Sequence, residues 1–445
     1  MRLIEFLADK KIAILGFGKQ GKATYNYLKK KFLNKKITII DKNPNIDLSE
    51  ISSDTDVRVG NDYLNDIEEF DLIIKAPGVV LKDVDVSKFE DKIITDYELL
   101  LKYTDAFTIG ITGSKGKSTT STLIYKMLEE QNKKVVFLGN IGNPVFEQID
   151  NIDKDTIVVL EVSSHTLEFV KASPNIAVLL NIFPEHLDHC NSINDYINSK
   201  FNIAKFQESS DYFIYNAENE LMNEFKFKHK KNDIAICLQN VNNNLENKVY
   251  IKENGIYLND KYLMNTEEDR QIKGKHMLNN MMFVLAISEI LKLDINKTIY
   301  TLKNTKPLAH RMEYIGKIDD VEFYDDAIAT IPEATINCIE TLERVDTLIC
   351  GGMDRGVSQD KLVEFLKKST VRNVICMPET GVYIYNALKD IKNVYIEEDF
   401  KEVVNIAKRI TQKGKICVLS PSASSYNDFK NFEEKGDIFK KYVLG

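Results

Sequence analysis

The stretch Ala106–Ser121 (AFTIGITGSKGKSTTS) restricts what this chain can fold into more than any other. Phe107, Ile109 and Ile111 alternate with small or polar residues and predict a strand. Gly113-Ser114-Lys115-Gly116 predicts a turn, and from Ser118 a helix follows with Leu123, Ile124, Met127 and Leu128 at helical spacing. A strand, a glycine turn and a helix start make a cradle for an anion, because the first N–H groups of a helix have no partners of their own. Lys117 adds a point charge for phosphates, and the Ser118 hydroxyl is a hard oxygen ligand for Mg²⁺. The usual phosphate-loop spacing, G-x-x-x-x-G-K-[ST], would put its first glycine where Ile111 stands, so this is a short variant. Gly113, Ser114, Lys115, Gly116, Lys117, Ser118 and Thr119 are therefore candidate nucleotide-phosphate contacts.

A second glycine turn stands earlier in the chain. Residues 11–16 read as a buried strand, Gly16-Phe17-Gly18-Lys19-Gln20-Gly21 opens a helix through Leu28, and a strand from Ile37 to Ile40 ends in Asp41. This is a dinucleotide fingerprint, with an acidic residue ~20 positions on for a ribose hydroxyl. The unit ends by about residue 100, before the second phosphate loop, so its turn is free to hold a nucleotide substrate instead of NAD. A strand over 71–75 runs into Ala76-Pro77-Gly78, another turn at the ligand-binding end of the same sheet.

With 445 residues, two to four domains are expected. At 43% hydrophobic and 28% charged the composition is that of an ordinary globular protein, and a net charge of −8 without a basic block argues against a nucleic-acid partner. The six cysteines form no C-x-x-C pair and read as reduced, mostly buried thiols of a cytoplasmic protein. No signal-peptide pattern and no run of ~18 apolar residues is present, so no membrane partner is expected.

Past the phosphate loop, strands predicted at 134–138, 156–161 and 176–182 alternate with helices. The second of these ends in Glu161, where such folds hold Mg²⁺ with a carboxylate. The third leads into Pro184-Glu185-His186-Leu187-Asp188, which places His186 at the ligand side. Residues 217–265 are polar and read as hairpins or an edge sheet. A helix opens near Gly274, a linker spans Thr305–Arg311, and strands near 345–350, 373–376 and 415–419 predict another Rossmann-like sheet.

These residues together resemble the ATP-dependent Mur ligases of peptidoglycan synthesis over essentially the whole chain. The match rests on Gly113–Thr120, Gly139–Gly142, Glu161–Ser164, Asn181–Asp188, Tyr196 with Lys200, Gly274–Asn280, and His310-Arg311. The closing stretch Leu419–Gly436 is most similar to the glutamate-adding branch. The resemblance implies an α/β protein of three domains: residues 1–101 Rossmann-like and binding a UDP substrate, 102–306 a P-loop ATP-binding domain with a mostly parallel sheet, and 307–445 Rossmann-like and binding the amino acid. It implies that ATP drives addition of D-glutamate to UDP-N-acetylmuramoyl-L-alanine through an acyl phosphate, in a cytoplasmic monomer whose third domain closes on the others. Catalytic roles fall to Lys117, His186 and Lys200; metal contacts for two Mg²⁺ fall to Ser118, Glu161, His186 and Lys200, the lysine carbamylated by CO₂. Asn280, Arg311 and Asp326 would contact ATP, and Gly18, Asp41, Gly78 and Asn140 the UDP substrate. Thr330, Arg355, Ser425, Tyr426 and Phe432 would surround the amino acid. From spacing alone, Lys200 reads as a solvated helix lysine.

The chain departs from the family pattern where amino acid and acceptor would meet. Ile328 and Met353 stand where lysines are usual, His165 follows Glu161-Val162-Ser163-Ser164 in place of phenylalanine, and Ala76 replaces a serine. Arg355 offers a replacement charge for a carboxylate. These changes leave L-glutamate or another amino acid as an alternative substrate. The motifs also admit an NAD-dependent oxidoreductase, which leaves the second phosphate loop without a role, a folate-type polyglutamate ligase, and a non-catalytic nucleotide-binding module.

Overall fold

The computed structural model describes residues 2–445 apart from 50, 141–142, 184–191, 225–231, 239–244, 273, 307 and 426–427, together with the side chains of 275 and 276. The predicted His186 and Tyr426 lie outside the described residues, as do Gly142 and Cys190. The chain divides into two compact units, Met1–Arg270 with Lys275–Thr305, and Gln271–Gly274 with Lys306–Gly445.

The first unit contains two sheets. β1 (Ile12–Leu15), β2 (Ile37–Asp41), β3 (Asp56–Val59), β4 (Leu72–Lys75) and β5 (Ile93–Ile94) lie in the order β3-β2-β1-β4-β5, all parallel. The strand order reverses between β1 and β4, the place where open α/β sheets bind ligands. The second sheet holds β6 (Phe107–Thr112), β7 (Val135–Gly139), β8 (Ile157–Glu161), β9 (Ile176–Leu179), β10 (Tyr212–Asn216) and β11 (Asp233–Cys237). It continues through β12 (Lys248–Lys252), β13 (Gly255–Leu258) and β14 (Lys261–Asn265), in the order β14-β13-β12-β11-β10-β9-β6-β8-β7. Only β12-β13-β14 pair antiparallel, so the polar 217–265 stretch does build the expected edge, but β11 and β12 extend the parallel sheet first.

One apolar cluster runs through both sheets of this unit, from Leu3 and Ile14 through Tyr27 and Leu138 to Phe201. Tyr27, on the helix Lys19–Lys31, stacks on Phe146 with ring centroids 4.7 Å apart. Burying an aromatic side chain of this kind contributes about 2–3 kcal/mol. That shared core is the physical reason the two sheets form a single unit.

The second unit has one sheet: β15 (Glu313–Ile318), β16 (Val321–Asp325), β17 (Val345–Gly351), β18 (Asn373–Met377), β19 (Asn393–Ile396) and β20 (Ile416–Leu419). Its order is β15-β16-β20-β17-β18-β19, parallel except for the β15-β16 hairpin. Helices cover it with apolar stripes; Phe400–Ile410 buries Val403, Val404, Ile406 and Ala407 and is capped by the Asp399 carboxylate. The five described cysteines are free and buried. No helix among the described residues is long and apolar enough to cross a membrane.

Candidate active site

The cradle forms where β6 ends. The helix begins at Lys117, one residue earlier than the spacing predicts, and runs to Glu130 on the buried face of Leu123, Ile124, Met127 and Leu128. Gly116 caps it at φ +85°, a left-handed conformation that only glycine adopts at little cost. A Cβ there would also sit 2.9 Å from Asn280 Oδ1, so Asn280 lies directly against the loop. No acidic residue occupies the first helical turn, which leaves its positive end available to an anion.

The loop is clipped in place by the segment that follows β9. Ser114 N donates to Asn181 O at 2.9 Å, and Lys115 N to Asn181 Oδ1 at 2.8 Å. Asn181 Nδ2 returns a hydrogen bond to Lys115 O at 2.9 Å. Ser114 Oγ accepts from Phe183 N at 2.9 Å and lies 2.7 Å from the Tyr196 hydroxyl. The strand predicted through Ile182 stops at Leu179 for this reason: Leu180 N still reaches Thr112 O, but the next residues turn to the loop. Lys117 Nζ folds over the loop, donating to Gly113 O at 2.8 Å and Ser114 O at 3.1 Å.

Glu161 ends β8 in register with Ile111, two positions before Gly113, and is 1% exposed. Its carboxylate is held from two sides, by Asn140 Nδ2 at 3.1 Å and Ser121 Oγ at 3.4 Å. A carboxylate and the Ser118 hydroxyl beside an anion cradle form an all-oxygen donor set, which is what Mg²⁺ accepts. Lys200 departs from the solvated reading. It lies on the buried stripe of the helix Ile193–Lys205, with Tyr196, Ile197, Phe201 and Ala204, and is 2% exposed. Its Nζ stands 4.7 Å over the Tyr196 ring, and Tyr196 in turn touches the phosphate loop through Ser114.

At the first sheet, the three fingerprint glycines divide the work. A Cβ on Gly16 would meet Val79 Cγ2 at 2.4 Å, and one on Gly21 the Gly16 carbonyl oxygen at 2.0 Å. Gly18 faces open space, as a backbone approached by a ligand must. Asp41 uses both carboxylate oxygens on the backbone, accepting from Phe17 N at 2.7 Å and Asn43 N at 2.8 Å. It therefore braces the glycine turn. Gly78 is exposed past β4, beside the β1 turn across the strand-order reversal.

In the second unit the predicted amino-acid contacts follow the C-terminal ends of neighbouring strands. Thr330 is exposed past β16, Arg355 is exposed past β17, and Ser425 is 2% exposed past β20, its hydroxyl without a partner among the described residues. Phe432 begins the helix Phe432–Leu444. Asp326 is buried and accepts from Ser420 Oγ at 2.8 Å and Met312 N at 3.2 Å; burial raises its pKa to about 7. Beside it, His310 Nδ1 lies 2.7 Å from Asp325 Oδ2, a hydrogen bond that raises the imidazole pKa. His310, Glu313 and Asp325 have metal-ligand spacing, but Lys440 Nζ already stands 2.8 Å from Glu313 and 3.9 Å from Asp325, so the cluster is an ion-pair network. Arg311 follows His310 directly, and Asp326 follows Asp325, so this knot fixes the backbone at both predicted ATP contacts.

The roles of Asn181, Tyr196, Ser121 and the His310–Asp325 pair did not emerge from the sequence. Asn181, Tyr196 and His310 stand inside the motifs quoted above, so their positions were marked without their tasks. Ser121 and Asp325 carry no signal of their own.

The family described as Mur ligase middle domain matches residues 111–288, and that described as Mur ligase, glutamate ligase domain matches residues 310–423. The chain is 31% identical to the UDP-N-acetylmuramoylalanine–D-glutamate ligase of Clostridium kluyveri, over 99% of this chain and 97% of that one. It is 30% identical to the ligase of the same name from Clostridioides difficile, over 98% and 99%. Among solved structures, UDP-N-acetylmuramate-alanine ligase MurC from Thermotoga maritima shares the fold with a TM-score of 0.61 at 17% identity, covering 98% of each chain. The MurF ligase of Thermotoga maritima in complex with ADP gives a TM-score of 0.59 at 17% identity, over 97% of this chain and 95% of that one. Cradle, strand-end carboxylate and near full-length likeness agree, and this chain belongs to the Mur ligase family.

Proposed function

We propose that this chain is an ATP-dependent ligase of cytoplasmic peptidoglycan precursor synthesis, joining D-glutamate to UDP-N-acetylmuramoyl-L-alanine. The observation that carries the reading is the clipped anion cradle, with Glu161 ending the neighbouring strand and the buried Lys200 over Tyr196, whose hydroxyl touches the loop. Relatives named for this reaction match nearly end to end.

A carboxylate is a poor acyl donor because its oxygen leaves badly. In the proposed reaction a carboxylate oxygen of the acceptor attacks the γ-phosphorus of ATP, ADP leaves, and an acyl phosphate results. The amino group of glutamate then attacks the acyl carbon, a proton is lost from nitrogen, and inorganic phosphate departs with the C–O electron pair. Both reactants are anionic, and Lys117 with the N–H groups of the helix start at residues 116–119 offsets their repulsion. Mg²⁺, when bound, neutralises phosphate charge; Ser118, Glu161, His186 and Lys200 are the residues proposed to hold two ions. For Lys200 to serve, its ammonium first gives up one proton; the resulting amine adds to CO₂ and loses a second, so that a buried cation becomes a carbamate anion. The ADP named for the Thermotoga maritima MurF complex supports the nucleotide assignment.

In this reading residues 1–101 hold the UDP group through Gly18, Asp41 and Gly78, with Asn140 facing the muramoyl part. Residues 102–306 hold ATP with Asn280, and residues 307–445 supply Arg311 and Asp326 to ATP and Thr330, Arg355, Ser425, Tyr426 and Phe432 to glutamate. The protein is proposed to act as a monomer.

The test is phosphate release measured with ATP, Mg²⁺, UDP-N-acetylmuramoyl-L-alanine and glutamate. Release should require the UDP substrate and should vanish in Lys117→Ala. Release that ignores the UDP substrate, or survives the substitution, contradicts the reading. Lys200→Ala should be inactive and regain activity with a short carboxylate such as acetate; inactivity without rescue counts against the carbamate.

A further inference from the structure

Lys435 lies in the first turn of the helix Phe432–Leu444, where a lysine would ordinarily be solvated. Here it is 1% exposed. Among the described residues its ammonium has one hydrogen bond, to Gly351 O at 3.3 Å, and it stands 5.5 Å over the Phe429 ring. An ammonium has three donors, and burying it with so little in return is costly. Burial pushes its pKa down to about 8, with Asp428 and Cys350 opposing, so it still carries charge at neutral pH.

Its place in the fold points to a ligand. Gly351 ends β17, and Met353 bridges to Ser424 past β20, with Met353 N donating to Ser424 O at 2.9 Å. Both Ser424 O, at 2.5 Å, and Lys435 Nζ, at 3.6 Å, approach the point where Gly352 would carry a Cβ. The next residue, Ser425, holds a buried hydroxyl with no hydrogen-bond partner among the described residues. The connection after β17 leads towards β18, while β20 returns on its other side, so these two strand ends flank the reversal of strand order in this sheet. A buried, under-used cation stands at the β17 end and a buried hydroxyl without a hydrogen bond among the described residues follows the β20 end, and an anion held between these strand ends would satisfy both.

We propose that Lys435 is a specificity-determining residue that binds a carboxylate of the incoming amino acid together with the Ser425 hydroxyl. The inference rests on the reading of this unit as the amino-acid site. It accounts for a chain that has Ile328 past β16, Met353 past β17 and the exposed Arg355 in the loop after Met353. Charge-assisted hydrogen bonds from one ammonium and one hydroxyl to a carboxylate are short and strong, and they discriminate against uncharged analogues.

Steady-state kinetics of the full chain, varying glutamate, ATP and the UDP substrate separately, test this. Lys435→Met should raise the glutamate KM by about 30-fold and leave the ATP KM within about twofold. It should also erase most of the preference for glutamate over glutamine. A stable Lys435→Met with an unchanged glutamate KM overturns the inference and leaves the ligase reading intact. Wild-type protein that ligates no amino acid overturns the ligase reading and the inference with it. Should Lys435→Met fail to fold, Lys435→Gln carries the same readout. If neither folds, the ammonium is structural and the proposal is overturned.

Discussion

Lys117 already bonds the carbonyls of Gly113 and Ser114, which holds its charge over the loop before any phosphate arrives. Removing it takes away a preorganised cation facing the charge that develops on the transferred phosphoryl group. Lys117→Ala should therefore lower kcat by at least about 100-fold with little change in thermal stability. Asp326 makes a different prediction. Unfolded, an aspartate releases its proton near pH 4; folded, burial moves that to about 7. Between these values the folded state holds the extra proton, so stability falls as pH rises through the window and stays low above it. The raised pKa of His310 acts in the same sense, since its contribution is lost as pH rises through the folded value. Asp326→Asn should therefore gain stability relative to the wild type as pH goes from about 4 to 7, by a few kcal/mol at order of magnitude. Urea denaturation at pH 5 and pH 8 checks this, and a difference that does not change with pH would contradict it.

At the scale of elements, the phosphate loop depends on its clip. Asn181→Ala removes two hydrogen bonds to Lys115 and leaves its half-buried N–H and C=O unmet, costing about 1–3 kcal/mol of loop order. The ATP KM should rise roughly tenfold while the glutamate KM stays put; titration with a fluorescent ATP analogue would report the same loss. Gly116→Ala should do at least as much damage, because φ +85° and the Asn280 contact both exclude a side chain. What the sequence made legible follows from the same physics. Alternation and glycine turns located β1, β6, β8 and the helices after them, because local preference and tertiary need agree there. The early end of β9 was not legible, since it is set by hydrogen bonds to a loop 66 residues away, and no local signal marks them. Spacing alone leaves Lys200 solvated for a related reason. A lysine on a helix carries no mark of which face is buried until Tyr196, Phe201 and Ala204 are seen to share its stripe. Lys435, on the buried face of its helix, is unmarked in the sequence in the same way.

For the whole molecule, the shared core of the first two sheets implies cooperative behaviour in the first unit. Phe146 touches Tyr27 of the first sheet's helix and buries itself with Leu138 and Leu160 of the second. Phe146→Ala should cost about 3–5 kcal/mol and lower the melting of both sheets together; separate transitions by tryptic mapping would contradict a common core. Function at this scale is one nucleotide-driven amide bond, and the choice of amino acid is its least constrained element, given Ile328 and Met353. The most direct measurement offers the purified chain ATP, Mg²⁺, UDP-N-acetylmuramoyl-L-alanine and an equal mixture of ordinary D-glutamate and isotopically heavy L-glutamate, and weighs the product. The product should be heavier by one light glutamate residue, formed only with ATP. Incorporation of the heavy isotope would contradict the D-glutamate assignment, and the absence of any ligated product would contradict the ligase itself.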